Sequence, residues 1–172
     1  LTLKSDSTSM KAWADSNLQA DAYAGVYYPH GLSTDLSGND VVIPASALAL
    51  RTFAFSDQVS FPWFAPAGLN RGGLPIVRTE FKVTQALRDK LYDNKVNPIA
   101  TFPRVGPVAY GQKTLQKKAS ALDRINVRRL LISLKNFIGD TSKNLVFEQN
   151  TTITRNRFLN AVNPFLESVQ QR

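Results

Sequence analysis

The chain has 172 residues, no cysteine, one histidine and a formal net charge of +8 at pH 7. That length supports one sizeable hydrophobic core, and the lack of cysteine excludes disulfides, thiolate nucleophiles and zinc–thiolate sites. Residues 1–86 carry six basic against seven acidic side chains and residues 87–172 fifteen against six, so the second half calls for an acidic partner: nucleic acid, lipid headgroups or an acidic protein surface. The longest apolar runs, "ALAL" and "LLI", fall far short of the ~20 residues of a membrane helix. "LTLKSDSTSM" does not read as a secretory signal.

In chain order, "SMKAWADSNLQADAYA" (9–24) predicts a helix with Ser9 as N-cap. "GVYYP" predicts a strand, "HGLSTDLSGND" a polar loop and "VVI" a short strand. Pro44 suits the first turn of a helix through "ASALALRTFAFSD". "FPWFAPAGLNRGGLP" is a loop without regular structure, and "IVRTEFKV" alternates like a strand. Thr84 caps a predicted helix over 84–95, with Val83, Leu87 and Leu91 at i, i+4 spacing. "PIATF" reads as a buried strand and "PVAYGQKTL" as a second one after a turn at 103–106. Ser120 and Asp123 form an S-x-x-D start for a helix over 120–138 that stops at Gly139. "NLVF" predicts a strand, and residues 151–171 a final helix kinked by Pro164. Helices alternating with short strands predict an α/β fold: one domain with a mixed β-sheet flanked by several helices.

No constellation of catalytic or metal-ligating residues emerges. "GLNRGG" (68–73) has phosphate-loop spacing but continues Leu-Pro, and "GPVAYGQKT" (106–114) interposes Gln112 before the lysine, so both read as turns. His30 stands alone, no G-x-S-x-G surrounds any serine, and no D-x-D-x-D cluster exists; His30 reads as a solvated loop residue. On a helical wheel Val127, Leu130, Leu131, Leu134, Phe137 and Ile138 share one face, predicted to be core. Arg124, Arg128 and Lys135 run along its edge, while Arg129 points elsewhere. A helix-turn-helix partner or interleaved exposed aromatics, which a nucleic-acid reader would use, are not apparent.

Four stretches, "PWFAPAGLNRG" (62–72), "LRDKLYDNKVNPIATFP" (87–103), "GQKTLQKKASALDRINVRRLLISLK" (111–135) and "VFEQNTTITRNRFLNAVNPFL" (146–166), resemble in this order the C-terminal half of contractile tail sheath proteins. These are proteins of contractile-tailed bacteriophages and phage-derived injection systems. "VIPASALALRTFAFSD" is also similar to the family's helix before its A-P-A-G loop. The resemblance implies one tail-sheath-like core domain, 1–172, as a segment of a longer subunit, with 1–12 and 171–172 as linkers to further parts. It implies a structural, non-catalytic subunit without cofactor, metal, small-molecule substrate or membrane insertion.

The implied partners are other sheath subunits in six-fold helical rings, the inner tail tube protein, the baseplate and the tail terminator. The implied place is the virion tail or an injection particle, after assembly in the host cytoplasm. In the family, terminal arms add strands to neighbouring subunits, so this segment alone is expected to stay soluble and monomeric. Within that frame Lys113, Lys117, Lys118, Arg124 and Arg128 are expected to contact acidic surface on the tube or the next subunit. The opposing reading pairs Arg124 or Arg128 internally with Asp123 or Glu148. The alternative function is a basic nucleic-acid-binding domain.

Overall fold

A computed structural model of the chain describes residues 12, 13, 16 and 20–171. Among the described residues, six strands form two three-stranded sheets, and four fully described α-helices accompany them. The first sheet orders β1 (Val26–Tyr28), β5 (Val96–Phe102) and β6 (Gly106–Ala109) as β1-β5-β6. β1 runs parallel to β5 from Val26 opposite Val96, and β6 runs antiparallel to it from Ile99 opposite Ala109, so the sheet is mixed. The second sheet orders β2 (Gly31–Thr34), β3 (Asp40–Ile43) and β4 (Arg78–Thr79) as β3-β2-β4, all antiparallel. The helices are α1 (Ala45–Val59), α2 (Gln85–Asp93), α3 (Ile125–Lys143) and α4 (Thr152–Gln170). An α/β class with a mixed sheet is what the residue pattern predicts; the division into two sheets is an addition.

The chain divides into two compact units, residues 1–129 and 130–172. In the first, alternation along β5 sends successive side chains to opposite faces of the sheet. Val96 and Ala100 join Tyr28, Val83, Leu87 and Leu91 in one core cluster, which brings in α2. Ile99 joins Ala45, Leu48, Leu74 and Ile76 in another, which brings in α1. The sheet is thus filled on both sides, and its central strand is the most buried of the described elements. α2 starts as predicted, with the Thr84 hydroxyl accepting the Leu87 N–H at 3.4 Å.

In the second unit the Phe137 and Phe165 rings, 4.3 Å between centroids, join α3 to α4. The Thr151 hydroxyl caps α4 by accepting the Thr154 N–H at 3.3 Å. Pro164 lies inside α4, which continues to Gln170; Pro164 and Asn160 are exposed, so the carbonyl left without an amide partner meets water.

Several predicted elements differ from those observed. The N-terminal helix over 9–24 lies largely outside the described residues; Ala12, Trp13 and Ser16 are helical, but 20–24 are not. There the Tyr23 N–H turns back to Asp21 Oδ1 at 2.7 Å, a local bond that competes with helix. Within the predicted loop, Gly31–Thr34 is strand. Asp35 Oδ1 accepts the N–H groups of Ser37 and Asn39, both at 2.8 Å, and Gly38 takes φ 83°, closing a tight hairpin from β2 into β3. "IVRTEFKV" contributes only Arg78–Thr79, because the Thr79 hydroxyl bonds the Phe81 carbonyl and turns the chain.

The Ser120–Asp123 capping box does not form: Ser120 Oγ accepts from Gln116, Ala121–Asp123 is a single 3-10 turn, and α3 begins only after an extended Arg124. α3 runs through Gly139, where glycine lowers helix propensity by only about 1 kcal/mol, and ends at Lys143. "NLVF" is a run of turns with Phe147 at φ 72°, not a strand. The face Leu130, Leu131, Leu134, Phe137 and Ile138 is half-buried where core was predicted, because α4 alone is too narrow to cover it within the second unit. Val127 is also half-buried, and the fully buried residue at this helix start is Ile125.

Candidate functional site

The predicted basic residues cluster around an extended segment, Gln112–Thr114, that belongs to neither sheet. Asn97, fully buried in β5, treats this segment as a neighbouring strand. Its Nδ2 donates to the Lys113 carbonyl at 2.8 Å, and its Oδ1 accepts the Lys113 N–H at 2.6 Å. On the other side Lys113 bridges to Arg124: Thr114 N–H donates to the Asp123 carbonyl and Ile125 N–H to the Gln112 carbonyl, both at 2.8 Å. Gly111 is required beside Asn97, since a Cβ there would lie 2.8 Å from Asn97 Cα.

Tyr92, at the end of α2, collects the cations. Lys113 Nζ sits 3.9 Å from the centre of its ring and donates to its carbonyl at 3.2 Å. Arg124 lies 5.6 Å from the same ring and donates to its hydroxyl. Asp123, almost wholly buried, is the carboxylate of the cluster, 3.3 Å from Arg124 Nε and 3.5 Å from Lys95 Nζ. Burial above all, then the charges of Lys95 and Arg124, hold the Lys113 ammonium below the usual lysine range.

Arg128 is occupied too. It donates to Gln116 Oε1 at 2.8 Å and the Leu122 carbonyl at 3.2 Å, and covers the Tyr23 ring at 4.9 Å. The same Gln116 donates through Nε2 to the Lys118 carbonyl and Ser120 Oγ, both at 2.9 Å. Arg128 and Gln116 thereby pin the loop that carries Lys117 and Lys118, whose side chains are exposed. Of the five predicted contact residues, Lys113, Arg124 and Arg128 therefore have internal partners, and Lys117 and Lys118 face outward. The internal pairing at Arg124 is with Asp123, one of the two carboxylates expected for it; Arg128 is held by neutral acceptors.

Arg129, set apart on the wheel, pairs with Asp57 at 2.5 Å and lies over the Phe53 ring. Asn97, Tyr92 and Gln116 were not singled out by sequence reasoning; the signal available for Asn97 was a lone amide beside an apolar run. The stretch 68–73 is a turn, as predicted, but 106–114 is not: Gly106–Ala109 is β6, paired with β5. The Gly68 N–H donates to the Ala109 carbonyl and the Gly72 N–H to the Gly68 carbonyl, so neither faces a phosphate. His30 is exposed as expected, but its Nδ1 also accepts the Ala45 N–H at 3.1 Å and so caps α1. Among the described residues no group of three or more histidines and carboxylates is placed to hold a metal ion, and no helix is long and apolar enough to cross a membrane.

No family model matches the chain. The tail sheath protein of Enterobacteria phage T4 is 37% identical over 164 residues, which cover 93% of this chain. That of Vibrio phage KVP40 is 45% identical over 118 residues, 68% of this chain. The chain is a tail sheath homologue. It spans 25% and 18% of the length of these two curated relatives. The sheath homologue also shares its fold with the sheath complex of an extracellular contractile injection system, PVC, in the contracted state. That match has a TM-score of 0.79 at 29% identity and covers 99% of this chain and 46% of the other. A chain of the anti-feeding prophage baseplate in the contracted state matches with a TM-score of 0.76 at 31% identity, over 89% of this chain and 42% of that one.

Proposed function

We propose that this chain is the core domain of a structural, non-enzymatic subunit of a contractile tail sheath. The subunit polymerises as stacked six-membered rings around an inner tube and contracts to drive the tube through a target cell envelope. The observation that carries this reading is the likeness, across nearly the whole chain, to both a phage tail sheath protein and a contracted sheath. A contracting lattice uses rigid bodies that move as units, and a sheet filled on both faces suits that use. The partners are other sheath subunits, the inner tube protein, the baseplate and the tail terminator. The particle is a virion tail or injection device, assembled in the host cytoplasm. The nucleic-acid-binding alternative draws no support from the relatives found.

Within this reading the basic surface contacts acidic groups on the tube or on the next subunit. Lys117 and Lys118 reach outward, while Lys113, Arg124 and Arg128 build the platform beneath them. Exposed ion pairs contribute only ~0–1 kcal/mol each, which suits a contact that must release on contraction, and repetition over many subunits makes the sum large. Reversal of both lysines, Lys117→Glu with Lys118→Glu, in the full-length protein is expected to weaken co-sedimentation with tubes roughly five- to thirtyfold. It should flatten the salt dependence and leave the melting temperature unchanged. Arg128→Glu is expected to lower the melting temperature, because it frees Gln116 and the loop. Unchanged co-sedimentation and salt sensitivity in the double reversal would contradict the contact.

A further inference from the structure

The turn from α2 into β5 places a charge where glycine would relieve strain. Lys95 follows the helix C-cap Asn94 and takes φ 63°, a left-handed conformation in which glycine or asparagine is the ordinary choice. Its N–H donates to the Tyr92 carbonyl at 3.1 Å, a closure that needs nothing from the side chain. What the lysine adds is an ammonium, 3.5 Å from Asp123 Oδ2. It joins the two cations, Lys113 and Arg124, already gathered on the Tyr92 ring.

Four charges act on the Lys113 ammonium: Lys95, Arg124, Asp123 and the exposed Asp93. Three cations against two carboxylates leave one positive charge over. Repulsion from Lys95 and from Arg124 each acts more strongly there than attraction from either carboxylate. Hydrogen-bond donors are in surplus as well. Arg124 directs Nε to Asp123 Oδ1 at 3.3 Å and Nη1 to the Tyr92 hydroxyl, so Nη2 has no partner among the described residues. The Tyr92 hydroxyl accepts from Arg124 and keeps its own proton to donate. Asp123 lies 3.3 and 3.5 Å from its two cations, farther than the about 2.7–2.9 Å of a well-formed charged hydrogen bond. The Arg124 and Lys95 side chains are 40% and 24% exposed, so these donors meet solvent.

We infer that Tyr92, Lys95 and Arg124 form a binding site for one further carboxylate, carried by an acidic side chain other than Asp93 and Asp123. The inference deepens the proposed contact of this basic surface with acidic groups and rests on it. A carboxylate fits by charge, because it cancels the surplus cation. It fits by shape, because one oxygen takes Arg124 Nη2 while the other meets the Lys95 ammonium or the tyrosine O–H. A nucleic acid fits less well. Lys113 covers the Tyr92 ring at 3.9 Å, so that face is closed to a stacking base, and one surplus charge does not make a row of phosphate contacts. The carrier is either another part of the same subunit or a neighbouring chain; the chemistry is the same, and the test separates them.

The test is zero-length cross-linking with a carbodiimide, in which the activated carboxylate acylates the Lys95 amine and the reagent leaves as its urea. The full-length protein is treated as dilute single subunits, and again as particles assembled from isotopically heavy and light copies. Peptides joined to Lys95 are read by mass spectrometry. An amide from Lys95 to an aspartate or glutamate other than 93 and 123 is the expected result. Found in dilute subunits, it places the carboxylate in the same subunit; found only in particles, as a heavy–light pair or joined to another protein, it places it on a neighbouring chain. Tyr92→Phe keeps the ring under Lys113 and removes the O–H donor. It should cut the yield of that amide by about threefold or more, with cross-links from the exposed Lys118 unchanged. Lys95 joined only to Asp93 or Asp123, or an unchanged yield in Tyr92→Phe, would overturn the inference and leave the sheath reading standing. Protection of Lys95 by an oligothymidylate, with no such amide, would overturn it in favour of a phosphate ligand. A protein that gives the amide in dilute subunits but forms no particles would overturn the sheath reading alone; neither amide nor particles would overturn both.

Discussion

Asn97→Leu is expected to lower the unfolding free energy by about 3 kcal/mol, because it strands the buried N–H and C=O of Lys113 at once. The side chain has no exposure, and its two bonds, at 2.6 and 2.8 Å, substitute for a strand that the sheet lacks at this edge of β5. Leucine matches asparagine in size and removes both partners, so the loss reports the unmet hydrogen bonds more than a cavity. The extended segment it releases leads directly into the loop of Lys117 and Lys118, so the variant should also blur that surface. Urea denaturation checks this through a fall in midpoint at constant slope. A loss below about 1 kcal/mol would mean that the segment is held by its Arg124 side alone.

Where hydrophobic period and caps agree, sequence and structure coincide: Thr84 before Leu87 and Leu91, the apolar run ending in Phe102, and Thr151 opening α4. These signals are local, and each element's burial follows from its own pattern. The misses have a shared cause in bonds that span turns. β2 was hidden because Gly31, Ser33 and Thr34 lack apolar alternation, and its pairing with β3 depends on the Asp35 carboxylate gathering amides around Gly38. Ser120 matched a capping pattern, yet its hydroxyl was already engaged by Gln116. At the candidate site the cationic residue types were legible, but their roles were not. Nothing in "GQKT" distinguishes Lys113, drawn onto Tyr92, from Lys117 four residues later, left in solvent, because Tyr92 lies on another element.

Asp123→Ala is expected to cost about 2 kcal/mol at neutral pH, less than a fully buried pair because Lys95 and Arg124 are partly exposed. It removes the carboxylate that Lys95, Lys113 and Arg124 share around Tyr92. The loss should depend on pH in a defined direction. Lys113 in the folded protein titrates below the ordinary lysine value of 10.5, so between the two values the unfolded chain binds more protons and stability rises with pH. The Asp123 charge opposes that depression, and its removal widens the interval. The deficit of the variant should therefore shrink as pH is raised toward 10.5. Urea unfolding of both proteins across a pH series reads this directly, and a deficit flat with pH would show that the Asp123 charge does not act on the Lys113 ammonium.

Electron microscopy of the purified full-length protein tests the proposal that this fold is the core of a repeating sheath subunit. Regular hollow tubes with six subunits per ring, formed without nucleic acid and in a narrow range of diameters, are the expected result. Single particles that never order at any concentration, but bind DNA with an affinity falling steeply with salt, would contradict it.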